Sequence, residues 1–364
     1  MTQFPLRQLL EWYHANKREM PWRQTDDPYK IWISEIMLQQ TRVDTVIPYY
    51  KRFTDAFPDV ESLAAADQQK VLKLWEGLGY YSRARNMHYA AKTVAEEFGG
   101  TMPGSYDELI KLKGIGPYTA AAISSIAFNE KKAVVDGNVL RVFCRYFGID
   151  DDIRSQKTKN QIQELTQEII PEDNPGDFNQ AVMELGATVC TPVNPDCNSC
   201  PFSVHCIAYN TARTESLPYK SPSKKIPHHQ IAVGIIVNGD NKLLIAKRSE
   251  DAMLGGLWEF PGGKQEEDES LKDAVKRELN EELGVDVNVF DKFMKLNHAY
   301  SHFKITLHAF WCKIENGKPE PKTSTSLRWV DLEEIEEFPF PKANKTLIDK
   351  MVNLEENLQK FVDG

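Results

Sequence analysis

No stretch of this 364-residue chain approaches the roughly eighteen consecutive apolar residues that a membrane helix needs. The polar opening MTQFPLRQLLEWYHANKREM likewise lacks the apolar core of a secretion signal. These two absences argue against a helical membrane protein, and the expected compartment is the cytoplasm. An excess of positive charge is also lacking, since 44 Lys and Arg face 53 Asp and Glu for a net charge of −9. That excludes nucleic-acid binding through overall charge alone, although phosphate contact needs only a local basic surface. Lys131, Lys132, Arg141, Arg145, Arg154, Lys157 and Lys159 supply such a surface, while acidic residues gather at 164–184 and 331–337. The same run also describes an ordinary solvated face. Cysteine is scarce, six in all, and a disulfide framework does not suit the expected compartment.

Four of those six stand close together as Cys190-x6-Cys197-x2-Cys200-x5-Cys206. Four thiolates in one short loop point to a metal centre, either an iron–sulfur cluster or a tetrahedral zinc. Cys144 and Cys312 read as buried free thiols. With 41% hydrophobic and 27% charged residues the chain can bury sizeable cores, and its length favours two domains.

Residues 1–210 show apolar periods near 3.6 and no alternating strand, which predicts an all-α domain. Within it, the segment from Leu109 to Val139 concentrates the chemistry. Gly114 and Gly116 flank Ile115 between two apolar helical stretches. Without Cβ atoms they let backbone N–H groups approach an outside anion, and the N-terminus of the second helix attracts phosphate. A plain helix-turn-helix corner has the same pattern. Beyond the second helix, Val134-Val-Asp136-Gly-Asn138 places a carboxylate in a short turn. Glu35 sits among apolar residues at 31–33 and 36–38, a setting that desolvates a carboxyl and raises its pKa. The stretch from Trp75 to Arg85 mixes glycine, aromatics and arginine, a composition that suits a loop wedging into a base stack. Residues 211–229 carry Pro218, Pro222 and Pro227 with Arg213, Lys220, Lys224 and Lys225, and read as a basic, extended linker.

From residue 230 onward the periodicity becomes that of an α+β domain, 230–364. The runs 231–237 and 242–248 read as a hairpin around 238–241. Gly263-x5-Glu269-x7-Arg277-Glu278-Leu279-x-Glu281-Glu282-x-Gly284 follows. Glu278 and Glu282 lie four apart on one helical face with Glu281 beside them, so their oxygens can gather round magnesium.

The first 210 residues resemble the helix-hairpin-helix DNA glycosylase superfamily: LKGIGPYTAAAI for the hairpin (about 109–122), VVDGNV for a catalytic aspartate, and the four-cysteine loop (190–206) for a [4Fe-4S] cluster. Within that superfamily, SEIMLQQTRVDTVIPYY and GLGYYSRARN are similar to the MutY-type adenine DNA glycosylases, which act on adenine mispaired with 8-oxoguanine. Lys113 stands where the superfamily commonly has proline. The 263–285 pattern resembles a full Nudix box, complete in its metal carboxylates where MutY-type chains have usually lost them. The resemblance implies that Glu35 protonates adenine, that Asp136 stabilises the sugar cation, and that Tyr118 and Asn138 orient them. It implies DNA contacts from Arg23, Gln40, Thr41, Leu78, Tyr80, Gly114, Gly116, Tyr300, Ser301 and His302, with Gln40 and Tyr80 wedging the stack. It further implies a cluster on the four cysteines and monomeric action on duplex DNA. Tyr118 occupies the position where bifunctional members carry a Schiff-base lysine, so a monofunctional enzyme is expected. Glu278, Glu281 and Glu282 are candidate magnesium ligands. The complete box is read first as a structural loop and helix, and second as a nucleotide hydrolase. Two alternatives for the whole chain are a nucleotide-pool Nudix hydrolase tethered to a DNA-binding helical domain, and a silent mismatch binder.

Overall fold

A computed structural model describes residues 4–222, 226–300 and 302–353. Ser301, one of the expected DNA contacts, lies outside the described residues. The chain divides into two compact units that do not follow chain order: Met1–Ala65 with Asn86–Ser223, and Ala66–Arg85 with Lys224–Gly364.

The first unit is helical throughout its described residues. Its leading helices are α1 (Leu6–Asn16), α2 (Pro28–Leu38), α3 (Val43–Ala56) and α4 (Val60–Ala64), while α5 (Gln68–Trp75) and the start of α6 (Ser82–Glu97) fall to the second unit. The rest of the first unit runs through α7 (Tyr106–Leu109), α8 (Pro117–Phe128), α9 (Gly137–Phe147), α10 (Gln156–Ile169), α11 (Pro175–Thr188) and α12 (Ile207–Asn210). Asp27 caps α2 by accepting from Tyr29 N, and Pro28 starts it with a fixed φ. Helix α2 is buried on every side from Ile31 to Met37, the signature of a central helix rather than an amphipathic one. Helix α8 is similar, buried from Thr119 to Ser125. The main core joins α1, α9, α10 and α11 through Leu9, Phe143, Ile162, Phe178 and Leu185. Residues 211–222 are tied to this unit: Leu217 is buried, and the Tyr219 and Ser221 carbonyls accept from Ile153 N and the Arg154 guanidinium.

In the second unit, β1 (His228–Ile236), β4 (Gly262–Lys264), β5 (Asp286–Ala299) and β6 (Lys304–Asn316) form a mixed sheet in the order β4-β1-β6-β5, with β1 and β6 parallel. A second, antiparallel sheet has the order β3-β2-β7, from β2 (Leu243–Lys247), β3 (Trp258–Glu259) and β7 (Ser326–Val330). Helix α13 (Leu271–Leu283) covers one face of the mixed sheet through Ala274, Val275 and Leu279. The other face packs on β2 and on α14 (Lys342–Asn353) through Leu347 and Ile348. The runs expected to form one hairpin are joined at the turn by a bridge between Val237 and Leu243 and by the Asn238 N to Lys242 O bond, but beyond it they enter different sheets. The reason is burial: Ala232–Ile236 and Leu243–Ala246 are apolar on both faces, and a two-stranded ribbon cannot cover both. No helix among the described residues is long and apolar enough to cross a membrane.

Candidate active site and nucleic-acid interface

Three helices of the first unit bring Glu35, Tyr118 and Asp136 together. Glu35 is 7% exposed, and its Oε2 is buried with no hydrogen-bond partner. Burial pushes its carboxyl up to about 7; the neighbouring Tyr118 hydroxyl opposes the rise, the nearby Asp136 charge adds to it, and Arg23 subtracts. The phenol of Tyr118 is itself raised well above its usual range by burial and by the two carboxylates, and its hydroxyl also reaches Met183 Sδ at 3.5 Å. Asp136 is the N-cap of α9. Its Oδ1 accepts from Asn138 N and Val139 N, each at 2.8 Å, and its Oδ2 accepts from Asn138 Nδ2 at 2.7 Å. Burial raises its pKa, and these three donors pull it back. The two carboxyls are therefore differentiated by environment, one desolvated with a bare oxygen and the other locked by donors.

Arg23 belongs to this site through Glu184, which sequence reasoning did not single out. Glu184 is 1% exposed and accepts from Arg18 Nε at 2.7 Å and from Arg23 Nη2 at 2.9 Å. Burial alone would raise its pKa; the two guanidiniums bring it down to about 2. A carboxylate on α11 thus fixes the arginine whose field reaches Glu35.

Arg141 and Arg145 were legible only as part of a basic run, yet both are used internally. Arg141 donates from Nη2 to Asn138 Oδ1 at 2.8 Å and to Gly186 O at 2.7 Å, and from Nε to Cys190 O at 2.8 Å. A continuous chain of hydrogen bonds thus links the Asp136 carboxylate to the first residue of the cysteine loop. Gly186 permits it, since a Cβ there would stand 2.6 Å from Asn138 Cβ. Arg145, 2% exposed, donates to Cys190 Sγ at 3.4 Å, Thr191 O at 2.6 Å and Leu217 O at 2.8 Å. Cys190, Cys197, Cys200 and Cys206 line one small hollow beside Arg145. Burial pushes the Cys200 thiol up to about 12 and raises those of Cys197 and Cys206, with neighbouring sulfurs adding to the effect. Among the described residues no three potential ligands stand close enough to share a single metal ion.

The glycine turn lies at the surface. Gly114 has φ +84°, and a Cβ on it would fall 2.6 Å from Asn86 Cβ, so the turn accepts no side chain there. Gly116 is the N-cap of α8, exposed, with Pro117 next in line. Exposed Gln40 ends α2 in a left-handed conformation with φ 57°, and Thr41 Oγ1 donates to Gln39 O at 3.2 Å.

Comparison with known proteins matches residues 33–171 to the HhH-GPD superfamily of base excision DNA repair proteins and residues 232–350 to the NUDIX domain. The chain is 36% identical to the adenine DNA glycosylase of Buchnera aphidicola subsp. Schizaphis graminum over 96% of its own length and 99% of the relative's. It belongs to the adenine DNA glycosylase family. The Homo sapiens adenine DNA glycosylase is 35% identical over 93% of this chain and 72% of that one. Among solved structures, a thermostable thymine-DNA glycosylase aligns with TM-score 0.52 and 31% identity, over 57% of this chain and 95% of that one.

In this family member's second unit, two distant stretches line one open cleft of about 450 Å³: Gly77 to Ser82 on one side, and His298, Tyr300, His302 and Phe303 on the other. Tyr80 is 38% exposed, whereas Leu78 is 6% exposed and turned inward. Tyr300 stacks on Phe303 at 4.8 Å and meets the edge of His298 at 4.6 Å. The Nudix box is tied together by Arg277, whose guanidinium reaches Glu269 at 2.7 Å, Glu278 at 3.0 Å and Glu281 at 3.3 Å. Glu278 and Glu282 line a cleft with Glu259 and Asn344, and Glu282 Oε2 accepts from Gly262 N at 3.0 Å. Burial and Glu259 push Glu282 up to about 7. Glu281 stands apart, 58% exposed, so the three carboxylates do not gather as one ligand set.

Proposed function

We propose that this chain excises adenine mispaired with 8-oxoguanine, or with guanine, from duplex DNA by hydrolysing its N-glycosidic bond. Adenine inside a duplex is out of reach, so it is rotated from the stack while Tyr80 and Gln40 occupy the gap. The turn at Gly114–Gly116 and the start of α8 grip the backbone beside it. Glu35, protonated near neutrality, donates through its unpartnered Oε2 to adenine N7, which turns the base into a neutral leaving group. Asp136, held ionised by Asn138 and two backbone N–H groups, faces the developing oxocarbenium sugar, the division of labour between carboxylates in glycoside hydrolysis. The observation that carries this reading is the pairing of a desolvated carboxyl, with an unfilled oxygen, and a donor-locked carboxylate whose charge it feels. A Glu35→Gln chain should bind the mismatch normally while single-turnover excision falls by about 10²–10⁴-fold; excision within a few-fold of wild type removes Glu35 from this role.

No lysine accompanies Tyr118 at the lyase position, and a phenol forms no imine, so the enzyme is proposed to be monofunctional. Borohydride trapping of a DNA adduct at the yield of a bifunctional lyase would contradict that. The four cysteines fit a [4Fe-4S] cluster in donor type and in lining a common hollow, and the cluster would shape the 190–206 loop for DNA. Ionisation of the raised thiols is what such a core would supply. The Nudix-like domain is proposed to read the base opposite adenine through the cleft shared by Tyr80, Tyr300 and His302, with Ser301 beside them in sequence. Its box serves structure, since Glu269, Glu278 and Glu281 meet Arg277 and Glu282 meets Gly262 N.

A further inference from the structure

Helix α5 and the loop after it are bonded to backbone groups of the sheet domain inside the second unit. Gln69 donates from Nε2 to the Gly256 carbonyl at 3.1 Å and accepts from the Trp258 indole Nε1 at 2.9 Å. One turn on, Lys73 Nζ donates to Phe338 O at 3.1 Å and pairs with Glu76 Oε2 at 2.7 Å. Glu76 Oε1 then accepts from Phe340 N at 2.8 Å. Tyr81 closes the seam from the far side of the loop, donating to Phe340 O at 3.2 Å while accepting from Gly77 N at 3.2 Å.

The segments caught by these bonds are walls of the cleft that carries Tyr300 and His302. Residues 252–254 and 341–342 line it, immediately beside the bonded residues at 256, 338 and 340. The opposite wall is the loop itself, where Gly77, Gly79 and Tyr80 have φ of 100°, 71° and 49°. Tyr80 alone of the three lacks a glycine's freedom, so its positive φ is imposed by its surroundings. Those surroundings are Trp75 Nε1 and Arg83 Nη2, which donate to Gly79 O at 3.1 and 3.0 Å, and the seam, which reaches Gly77 N through the Tyr81 hydroxyl. The 256–258 and 338–340 backbone is thus bonded, through Gln69, Lys73, Glu76 and Tyr81, to the helix and loop that carry Tyr80.

We propose that Gln69 and Lys73 are positioning residues for opposite-base specificity: they transmit occupancy of the Tyr300–His302 cleft to the Tyr80 loop, so that adenine is extruded faster opposite 8-oxoguanine than opposite guanine. This rests on the reading that the second unit recognises the opposite base. Neither residue touches substrate. The seam sets a ratio of rates rather than the chemistry.

The test measures single-turnover excision from A·8-oxoG and A·G duplexes for the full chain and for Gln69→Ala, Lys73→Met and Lys73→Arg, with melting temperatures alongside. Gln69→Ala and Lys73→Met should each reduce the A·8-oxoG to A·G ratio by about tenfold, through the 8-oxoguanine duplex alone. Lys73→Arg, able to keep the Glu76 pair and a donor to Phe338 O, should restore most of it. Equal loss on both duplexes with a lowered melting temperature marks a merely structural contact and overturns the proposal. Variants that keep the wild-type ratio overturn the seam and leave opposite-base reading intact. A wild-type chain with no preference removes that reading and the proposal with it.

Discussion

Glu35 carries one charge question with two measurable faces. Its folded pKa is about 7 against an ordinary 4.5, so between those values the folded chain holds a proton that the unfolded chain has released. Stability then falls as pH rises through that window, because an ionised Glu35 is a buried, poorly solvated charge. The same proton is the one proposed to be spent on adenine. Single-turnover excision should therefore be level below about pH 7 and fall about tenfold per unit above it. Glu35→Gln removes both behaviours: its residual rate should lose this alkaline limb, and its fold at pH 8 should be stabilised by an amount on the order of 3 kcal/mol relative to wild type. A wild-type profile that keeps rising to pH 9, or a Gln variant no more stable than wild type at pH 8, contradicts the assignment. The residue was legible because its neighbours are apolar over two helical turns. Glu184, equally buried, was not, since its partners Arg18 and Arg23 lie more than 160 residues earlier and no local pattern marks it.

Helix α9 shows what an element adds to its residues. Its N-cap is the proposed catalytic carboxylate, so the same hydrogen bonds that start the helix hold Asp136 in place. Five and nine residues further, Arg141 and Arg145 turn toward carbonyls at 186, 190, 191 and 217. These partners come from distant segments, which is why the sequence showed only a basic surface at 131–159. Arg141→Met should leave α9 folded but free Asn138 and the Cys190 carbonyl together. Excision should fall about 10–100-fold, as for loss of a group that orients a ligand, with iron content of the isolated protein reduced alongside. A drop in neither would show that the Asp136–Asn138–Arg141–Cys190 chain is incidental. The hairpin misreading at 231–248 belongs to this scale too: strand type was readable from apolar runs, but sheet membership depends on which faces are covered, and that is decided by α13 and α14.

At the scale of the whole molecule, the all-α and α+β halves and the proposed catalytic pair were readable from motif and period, whereas the allocation of residues 66–85 to the second unit was not, because it follows from side chains meeting backbone groups some 190–265 residues away. The complete Nudix box, read first from its sequence as a structural loop and helix, is proposed to keep that role. With Arg277 and Gly262 N engaging its carboxylates, the full chain with magnesium should leave 8-oxo-dGTP intact. Rapid release of pyrophosphate, lost in Glu282→Gln, would establish a second activity. The central claim is that a Glu35–Asp136 pair removes adenine and that a separate unit reads the opposite base. It is tested most directly by single-turnover release of adenine from A·8-oxoG, A·G and A·T duplexes of one sequence. The account predicts fastest release opposite 8-oxoguanine, slower opposite guanine and none above background opposite thymine; equal release from all three, or none from any, would contradict it.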